Sequence, residues 1–225
     1  ARTLRYAFLR NTAQQVGARF VAVGHSADDI AETVLMHLAR GSGLDGLASH
    51  AVVRPLGDHT LVRPLSHSTR KEIEEVARGR GLAWREDASN DSEQFVRNAV
   101  RKSVMPGMRT VFGANVGKQV ARSAGLLGSS QQALHDLMDP ILQRVARRPA
   151  GEWTVLLAEL GRYSDAVQAE CLRRVLRLAT GEPASQVDGE RLFDLVRAEK
   201  GSKATLASGI AAVHDGSVIV LRNSG

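Results

Sequence analysis

Residues 21–43, VAVGHSADDIAETVLMHLARGSG, restrict the possible folds more than any other part of this chain. A short apolar run ends at Gly24, His25 follows, and an acidic pair opens a segment whose apolar residues recur with helical period. The pattern reads as strand, tight turn and helix. That is half of a βαβ unit. In open α/β sheets the loops at the carboxyl ends of the strands form the ligand crevice, which places His25, Asp28 and Asp29 where a site is expected.

Within the helix, Ala27, Ile30, Ala31, Val34 and Leu38 share a face expected to meet the sheet, and Asp29, Glu32, Thr33 and Met36 share another. A local reading competes for the acidic residues. Ser26 is a good N-cap, Asp29 completes a capping box, and Asp28 suits the helix dipole. Glu32 lies a turn beyond the reach of the cap, and the local reading leaves it unexplained.

A chain of 225 residues at 43% hydrophobic has enough core-forming material for one large domain or two small ones. Its single cysteine, Cys171, excludes an internal disulfide and fits a reducing compartment. The histidines and Cys171 show no metal-ligand spacing, so no metal site is expected among the side chains. With no secretory signal and no apolar run of membrane-spanning length, the cytoplasm is the default location and no membrane partner is expected. Charge divides unevenly along the chain. Residues 1–96 hold 12 basic and 12 acidic side chains, residues 97–150 hold 9 and 2, and residues 151–225 hold 9 and 10. An excess this localised points to a polyanion partner, against the alternative of a solvated basic face.

Residues 1–20 give a rough amphipathic helix through Leu4, Ala7, Phe8 and Val16, on which Arg5 reads as an ordinary exposed arginine. The strand at 19–24 needs parallel neighbours, expected upstream of Ala1. Gly41 and Gly43 follow the organising helix and read as its stop, because a phosphate cradle places its glycines ahead of a helix. Residues 50–54 and 60–63 are extended runs joined by Gly57 and Asp58. Ser68 or Thr69 caps a helix that runs to Arg80 and stops at Gly81. Trp84 ends an expected strand, residues 87–91 are turn chemistry, and a helix carries Arg97, Asn98, Arg101 and Lys102 before Pro106. Arg97 and Arg101, four apart, share a face that is either solvated or a clamp for phosphate and carboxylate. From Val116 the pattern is helical, with a break expected near Gly125 and Gly128. Further helices are expected at 165–178, with Arg173, Arg174 and Arg177 outward, and at 188–198. Residues 210–213 and 218–221 read as a terminal hairpin.

Taken in order, GHSADDIAETVLMHLARGSGLDGL, then RPL followed by TRKEI, then WREDASNDSEQFVRNAVRKSVMP closely resemble the tRNA(Ile)-lysidine synthetases of the PP-loop ATP pyrophosphatase superfamily. Residues 188–221 are similar to the domain that follows the catalytic core in that family. The resemblance implies an α/β fold: a partial doubly wound parallel sheet over residues 1–106, the later half of a PP-loop catalytic domain. A mainly helical, tRNA-contacting domain with a small terminal β-hairpin follows over residues 107–225. It implies ATP and Mg2+ as cofactors, and free lysine and tRNA(Ile) with a CAU anticodon as partners; it leaves a homodimer open. In the implied reaction ATP adenylates the C2 carbonyl oxygen of the wobble cytidine, and the lysine ε-amine displaces AMP to form lysidine.

Carried over by motif, His25 is implied in adenylation and Arg97 near the reacting nucleotide. Asp29 and Glu32 are implied in holding lysine, with Arg5 on its carboxylate. The basic segment supplies Arg101, Lys102, Arg109, Lys118, Arg122, Arg147 and Arg148 as expected tRNA contacts. The family's SGGxDS phosphate loop does not occur in these 225 residues, so it is expected upstream of Ala1 and residues 1–225 alone are expected not to adenylate tRNA. Ala88 stands where the family usually has proline. Two other functions compete: a thiolase-type PP-loop tRNA modifier, which the lone Cys171 argues against, and a non-catalytic RNA-binding module derived from such an enzyme.

Overall fold

The computed structural model describes residues 2–48, 52–84, 95–181, 185–206 and 209–223, so the expected turn at 87–91, Ala88 and the start of the run at 50–54 lie outside the described residues. The chain divides into two compact units, Ala1–Gln131 and Gln132–Gly225.

In chain order the first unit holds α1 (Arg2–Gln15), β1 (Phe20–Ala22), α2 (Ala27–Ala39), α3 (Leu44–Leu47), β2 (Val53–Leu56), β3 (His59–Val62) and α4 (Arg70–Gly79). After these come α5 (Phe95–Ala99), a π-helical turn (Val100–Val104), α6 (Met105–Phe112) and the start of α7 (Val116–Val145). The strands pair in the order β1-β3-β2, with β1 and β3 parallel and β2 and β3 antiparallel. Gly57, at φ 61°, makes the expected turn between β2 and β3 in a region that favours glycine. A small core of Ala13, Val21 and Leu61, with Tyr6, Leu9, Ala18, Val23 and Leu56 against it, joins α1 to the sheet.

Several expectations are corrected. On α1 the inward face is Tyr6, Leu9 and Ala13, while Leu4, Phe8 and Val16 are exposed. On α2, Ala27, Ile30 and Ala31 are buried as expected, but so are Glu32, Thr33 and Met36, and Leu38 is exposed. Leu38 and Val34 instead edge an open apolar groove of about 450 Å³ shared with Leu47, Met108 and Phe112. Residues 82–84 form no strand; Leu82 and Trp84 are exposed and pair with no strand among the described residues. No break occurs at Gly125 or Gly128, because α7 runs for 30 residues and a glycine costs only about 1 kcal/mol relative to alanine within a helix.

The units part between Gln131 and Gln132, whereas the resemblance implied a boundary after residue 106. The first half of α7 is held to the first unit: Lys118 Nζ pairs with Glu72 Oε1 at 2.5 Å, and the Gln131 side chain bonds Asp45.

The second unit holds the rest of α7, then β4 (Ala146–Arg147), a 3-10 turn (Pro149–Gly151), β5 (Trp153–Leu156), α8 (Leu157–Leu160) and α9 (Asp165–Thr180). α10 (Gln186–Val196), β6 (Lys203–Thr205), β7 (Ile210–His214) and β8 (Val218–Asn223) complete it. Its strands form one antiparallel sheet in the order β4-β5-β8-β7-β6. The expected hairpin is β7 with β8, extended on both sides. β5 pairs on one side with the short β4 just before it and on the other with the distant β8, Trp153 with Leu221 and Leu156 with Val218, so local pattern gave no sign of the link that joins the two ends of the sheet. Cys171, Leu172, Val175 and Leu176 form the buried face of α9 and pack with Leu192, Leu195, Val155, Ile219 and Leu221. Each fully buried leucine or valine of this kind is worth about 1.5–3 kcal/mol relative to exposure.

Candidate functional site

The loop after β1 is fixed at both ends. Val23 N–H donates to Val62 O at 3.0 Å, and Ala27 N–H donates to Ser68 O at 2.9 Å. Between them Ser26 adopts the extended conformation of an N-cap; its Oγ accepts from Asp29 N–H at 3.2 Å, and its own N–H donates to Asp29 Oδ2 at 2.9 Å. The capping box read from the sequence is present, and it aims the other Asp29 oxygen outward.

Asp28 and Asp29, adjacent and chemically identical, serve different ends. Asp28 is buried and structural: Oδ2 accepts Arg70 N–H at 2.7 Å, at the start of α4, and Oδ1 accepts Arg109 Nη2 at 2.8 Å, from α6. Gly117 of α7 lies close over it; a Cβ there would stand 2.9 Å from Asp28 Oδ1. Asp29 instead joins Glu32 in a charged cluster. Arg97 donates from Nε to Glu32 Oε2 at 2.9 Å and from Nη2 to Asp29 Oδ1 at 3.2 Å. Arg101 donates from Nε to Glu32 Oε1 at 2.7 Å, and from Nη2 to Glu32 Oε2 at 3.0 Å and Asp29 Oδ1 at 3.4 Å. The Glu32 side chain is 3% exposed, against 34% and 27% for the two arginines. The carboxylates thus form the floor of the cluster and the guanidinium groups its rim. Arg97 lies on α5 and Arg101 on the π-helical turn, a wide-pitched element often found at functional sites.

Burial pushes the Asp29 carboxyl up, but the hydrogen bonds from Ser26 and the charges of Arg97 and Arg70 outweigh it and hold the group below its ordinary value. Arg101 is raised, chiefly by its hydrogen bonds to Glu32. His25, at the loop, is lowered by burial and by Arg63, Arg5 and Arg97, with Asp29 opposing. At neutral pH the imidazole is therefore uncharged. The two carboxylates of the floor can accept from a cation, as they do here from the guanidinium groups of Arg97 and Arg101.

The structure brings His25, Asp29, Glu32 and Arg97 together, and adds Arg101, which the sequence had placed among the tRNA contacts. Arg5 is exposed; its guanidinium stands 5.5 Å from the centre of the Tyr6 ring, and its charge acts on His25. Lys102 and Arg122 are exposed on the first unit. Arg109 is held by Asp28 and Lys118 by Glu72. In the second unit Arg147 donates to the carbonyls of Gln143, Arg144 and Ala146, and Arg148 donates to Gly151 O while lying over the Trp153 ring. The residue the sequence reading passed over is Arg63: it is wholly buried, and its Nε donates to His25 Nδ1 at 3.3 Å. Its signal was present. Strand alternation puts Arg63 on the same face as Leu61, and a charge on the buried face of a strand asks for a partner.

Residues 1–108 match the PP-loop domain family. The chain is 36% identical over 200 residues to a tRNA(Ile)-lysidine synthase of Symbiobacterium thermophilum, covering 88% of this chain and 42% of that protein. It is 36% identical over 202 residues to that of Thermobifida fusca, covering 88% and 58%, and 37% identical over 204 residues to that of Ralstonia nicotianae, covering 91% and 42%. The chain thus spans between 42% and 58% of the length of these relatives. A solved structure, the U34-tRNA thiolase NcsA from Methanococcus maripaludis, aligns with a TM-score of 0.48 at 18% identity over 56% of this chain and 42% of that one.

Proposed function

Because the chain belongs to the PP-loop family and is a relative of the tRNA(Ile)-lysidine synthases over most of its length, we propose that its protein uses ATP to join free lysine to the wobble cytidine of tRNA(Ile) with a CAU anticodon. The cytidine O2 attacks the α-phosphorus of ATP and pyrophosphate leaves. The lysine ε-ammonium loses a proton to water, the uncharged amine attacks C2, the C2–O2 bond breaks, and AMP leaves with that oxygen. The work is cytoplasmic.

One observation carries this reading: Asp29 and Glu32 converge beside a neutral His25. A floor of two carboxylates suits a ligand that is cationic at one end, and Arg5 is proposed for the carboxylate at the other. Lysine would displace guanidinium groups from the outer carboxylate before the inner one, since the Asp29 contacts at 3.2 and 3.4 Å are longer than the Glu32 contacts at 2.7 to 3.0 Å. His25 and Arg97 are proposed to face the reacting nucleotide, where cationic and N–H donors stabilise charge developing on oxygen. Among the described residues no group of three or more His, Cys, Asp or Glu is placed to hold a metal ion. Mg2+ is proposed to enter bound to the ATP triphosphate.

Exposed basic residues of the first unit, Lys102 and Arg122 foremost, are proposed for the tRNA backbone. The test is lysine incorporation into a CAU-anticodon transcript by the whole protein that contains residues 1–225, with wild type compared to Asp29→Asn and Glu32→Gln. Charge-assisted contacts of ~1.5–3 kcal/mol predict an apparent lysine affinity weakened roughly tenfold to a hundredfold, with adenylation retained. Unchanged lysine dependence in both variants would return the carboxylates to capping and ion pairing alone.

A further inference from the structure

We propose that Arg63 is the positioning residue for His25: its buried guanidinium donates to Nδ1, fixes the ring as the Nε2–H tautomer, and so makes His25 a hydrogen-bond donor rather than a proton acceptor. The argument begins with the backbone. Arg63 follows β3 directly; its N–H donates to Val52 O at 2.9 Å and its carbonyl accepts from Ser66 N–H at 3.2 Å. A residue held on both sides, with none of its side chain exposed, has little freedom to swing its head group elsewhere. Nε lies 3.3 Å from His25 Nδ1.

A guanidinium has only donors, so the ring nitrogen facing it must offer a lone pair. A neutral imidazole carries one proton, and with Nδ1 accepting that proton sits on Nε2. Flipping the ring would turn a C–H toward the N–H, and protonating Nδ1 would oppose two donors. The charges around the ring act in the same sense. Arg63 beside β3, Arg5 on α1 and Arg97 on α5 disfavour the imidazolium, and Asp29 on α2 is the acidic group opposing them. Lone-pair capacity is thus consumed on the Arg63 side, and the proton of the neutral ring sits on Nε2. Such a donor serves an oxygen that gains charge, as the cytidine O2 or a phosphoryl oxygen does during adenylation. The identity of that oxygen rests on the function proposed above; the tautomer does not.

Nitrogen-15 spectra of histidine-labelled residues 1–225, with His25 assigned by loss of its signals in His25→Gln, test the tautomer directly. Expected are a pyridine-type Nδ1 and a pyrrole-type Nε2, with protonation on acidification coming at lower pH than for an ordinary histidine. A pyrrole-type Nδ1 in the wild-type spectrum overturns the proposal without any variant. Arg63→Gln keeps an N–H donor and should keep the tautomer, while Arg63→Met should give a mixture and bring protonation of His25 up toward its ordinary pH; a ring unchanged in Arg63→Met also overturns it. In the whole protein the acid limb of the adenylation rate should move to higher pH in Arg63→Met and be partly restored in Arg63→Gln. Failure of lysine labelling would count against the function and leave the spectra standing, whereas a wrong tautomer would count against Arg63 and leave labelling intact.

Discussion

The two compact units are stabilised by different physics. The second has an apolar core that runs from Met138 to Leu221, and among the described residues its buried polar ones are Asp188 and His214. The first has a small cluster of Ala13, Val21 and Leu61, and around α2 it buries Ser26, Asp28, Glu32, Thr33, Arg63 and Ser66. Apolar burial is nondirectional and indifferent to pH. Buried charge is directional and costly unless paired, and it makes a region hostage to its partners. The unit carrying the candidate site is the one that accepts this cost, because a cluster of paired charges cannot be built from leucine.

Replacing Arg97 and Arg101 together by glutamine tests this contrast most severely. It leaves Glu32 buried without its cations and should cost about 3–5 kcal/mol, read as lost hydrogen-exchange protection in α2 with α9 unchanged. Equal losses in α2 and α9 would dissolve the contrast. Leu172→Ala should do the converse, costing about 2–5 kcal/mol in α9 by cavity formation, with the exchange of α2 unaffected.

Acid and alkali should separate the units more gently. His25 and Asp29 both titrate lower in the folded state, so on acidification the unfolded chain takes up protons first: below the ordinary histidine range for His25, and below the ordinary aspartate range for Asp29. Both make the first unit less stable as pH falls. Burial pushes the Cys171 thiol of the second unit up to about 11 from an ordinary 9.0. There the unfolded state ionises first, and stability falls as pH rises between those values. Melting of the two units followed by exchange at pH 4, 7 and 10 should show opposite trends; parallel trends would mean that other groups dominate.

The smallest effect concerns the basic segment. Each true phosphate contact lowers the slope of log K for tRNA against log salt by about 0.7 to 0.9. Exposed Arg122, changed to glutamine, should flatten the slope by about that amount. Lys118→Gln should change it less, since Lys118 is already engaged by Glu72. An equal effect of both would show that the internal pair opens when tRNA binds.

Much of this site could be read from residues close in sequence. The capping box of Ser26 and Asp29, the Thr69 cap of α4 and the turn at Gly57 are local, and local chemistry specifies them. Glu32 was legible as an anomaly, a carboxylate with no local task, and the structure gives it Arg97 and Arg101, more than sixty residues away. Arg63 was missed because its partner lies across the sheet and the arginine was taken for a strand end. Apolar residues misled where helices present more than one inward face: Leu4 and Phe8 pointed to the wrong side of α1, and Leu38 to the wrong side of α2. The five-stranded sheet was not legible as one sheet because β5 joins β8 across more than sixty residues, and strand pairing over such a separation leaves no periodic trace.

Gly117 has a quiet role that follows from its place above Asp28. A methyl group there would meet Asp28 Oδ1 at 2.9 Å, the same oxygen that accepts Arg109, while the other oxygen is committed to the start of α4. The carboxylate has no third direction in which to yield. Alanine is the better helix former by about 1 kcal/mol, yet at this one position of α7 it would act as a wedge, prising α2 from α4 and α6. The clearance above a single carboxylate thus sets how closely a helix beginning at Val116 can approach, and an engineer improving that helix by propensity alone would unlatch α2 from its neighbours.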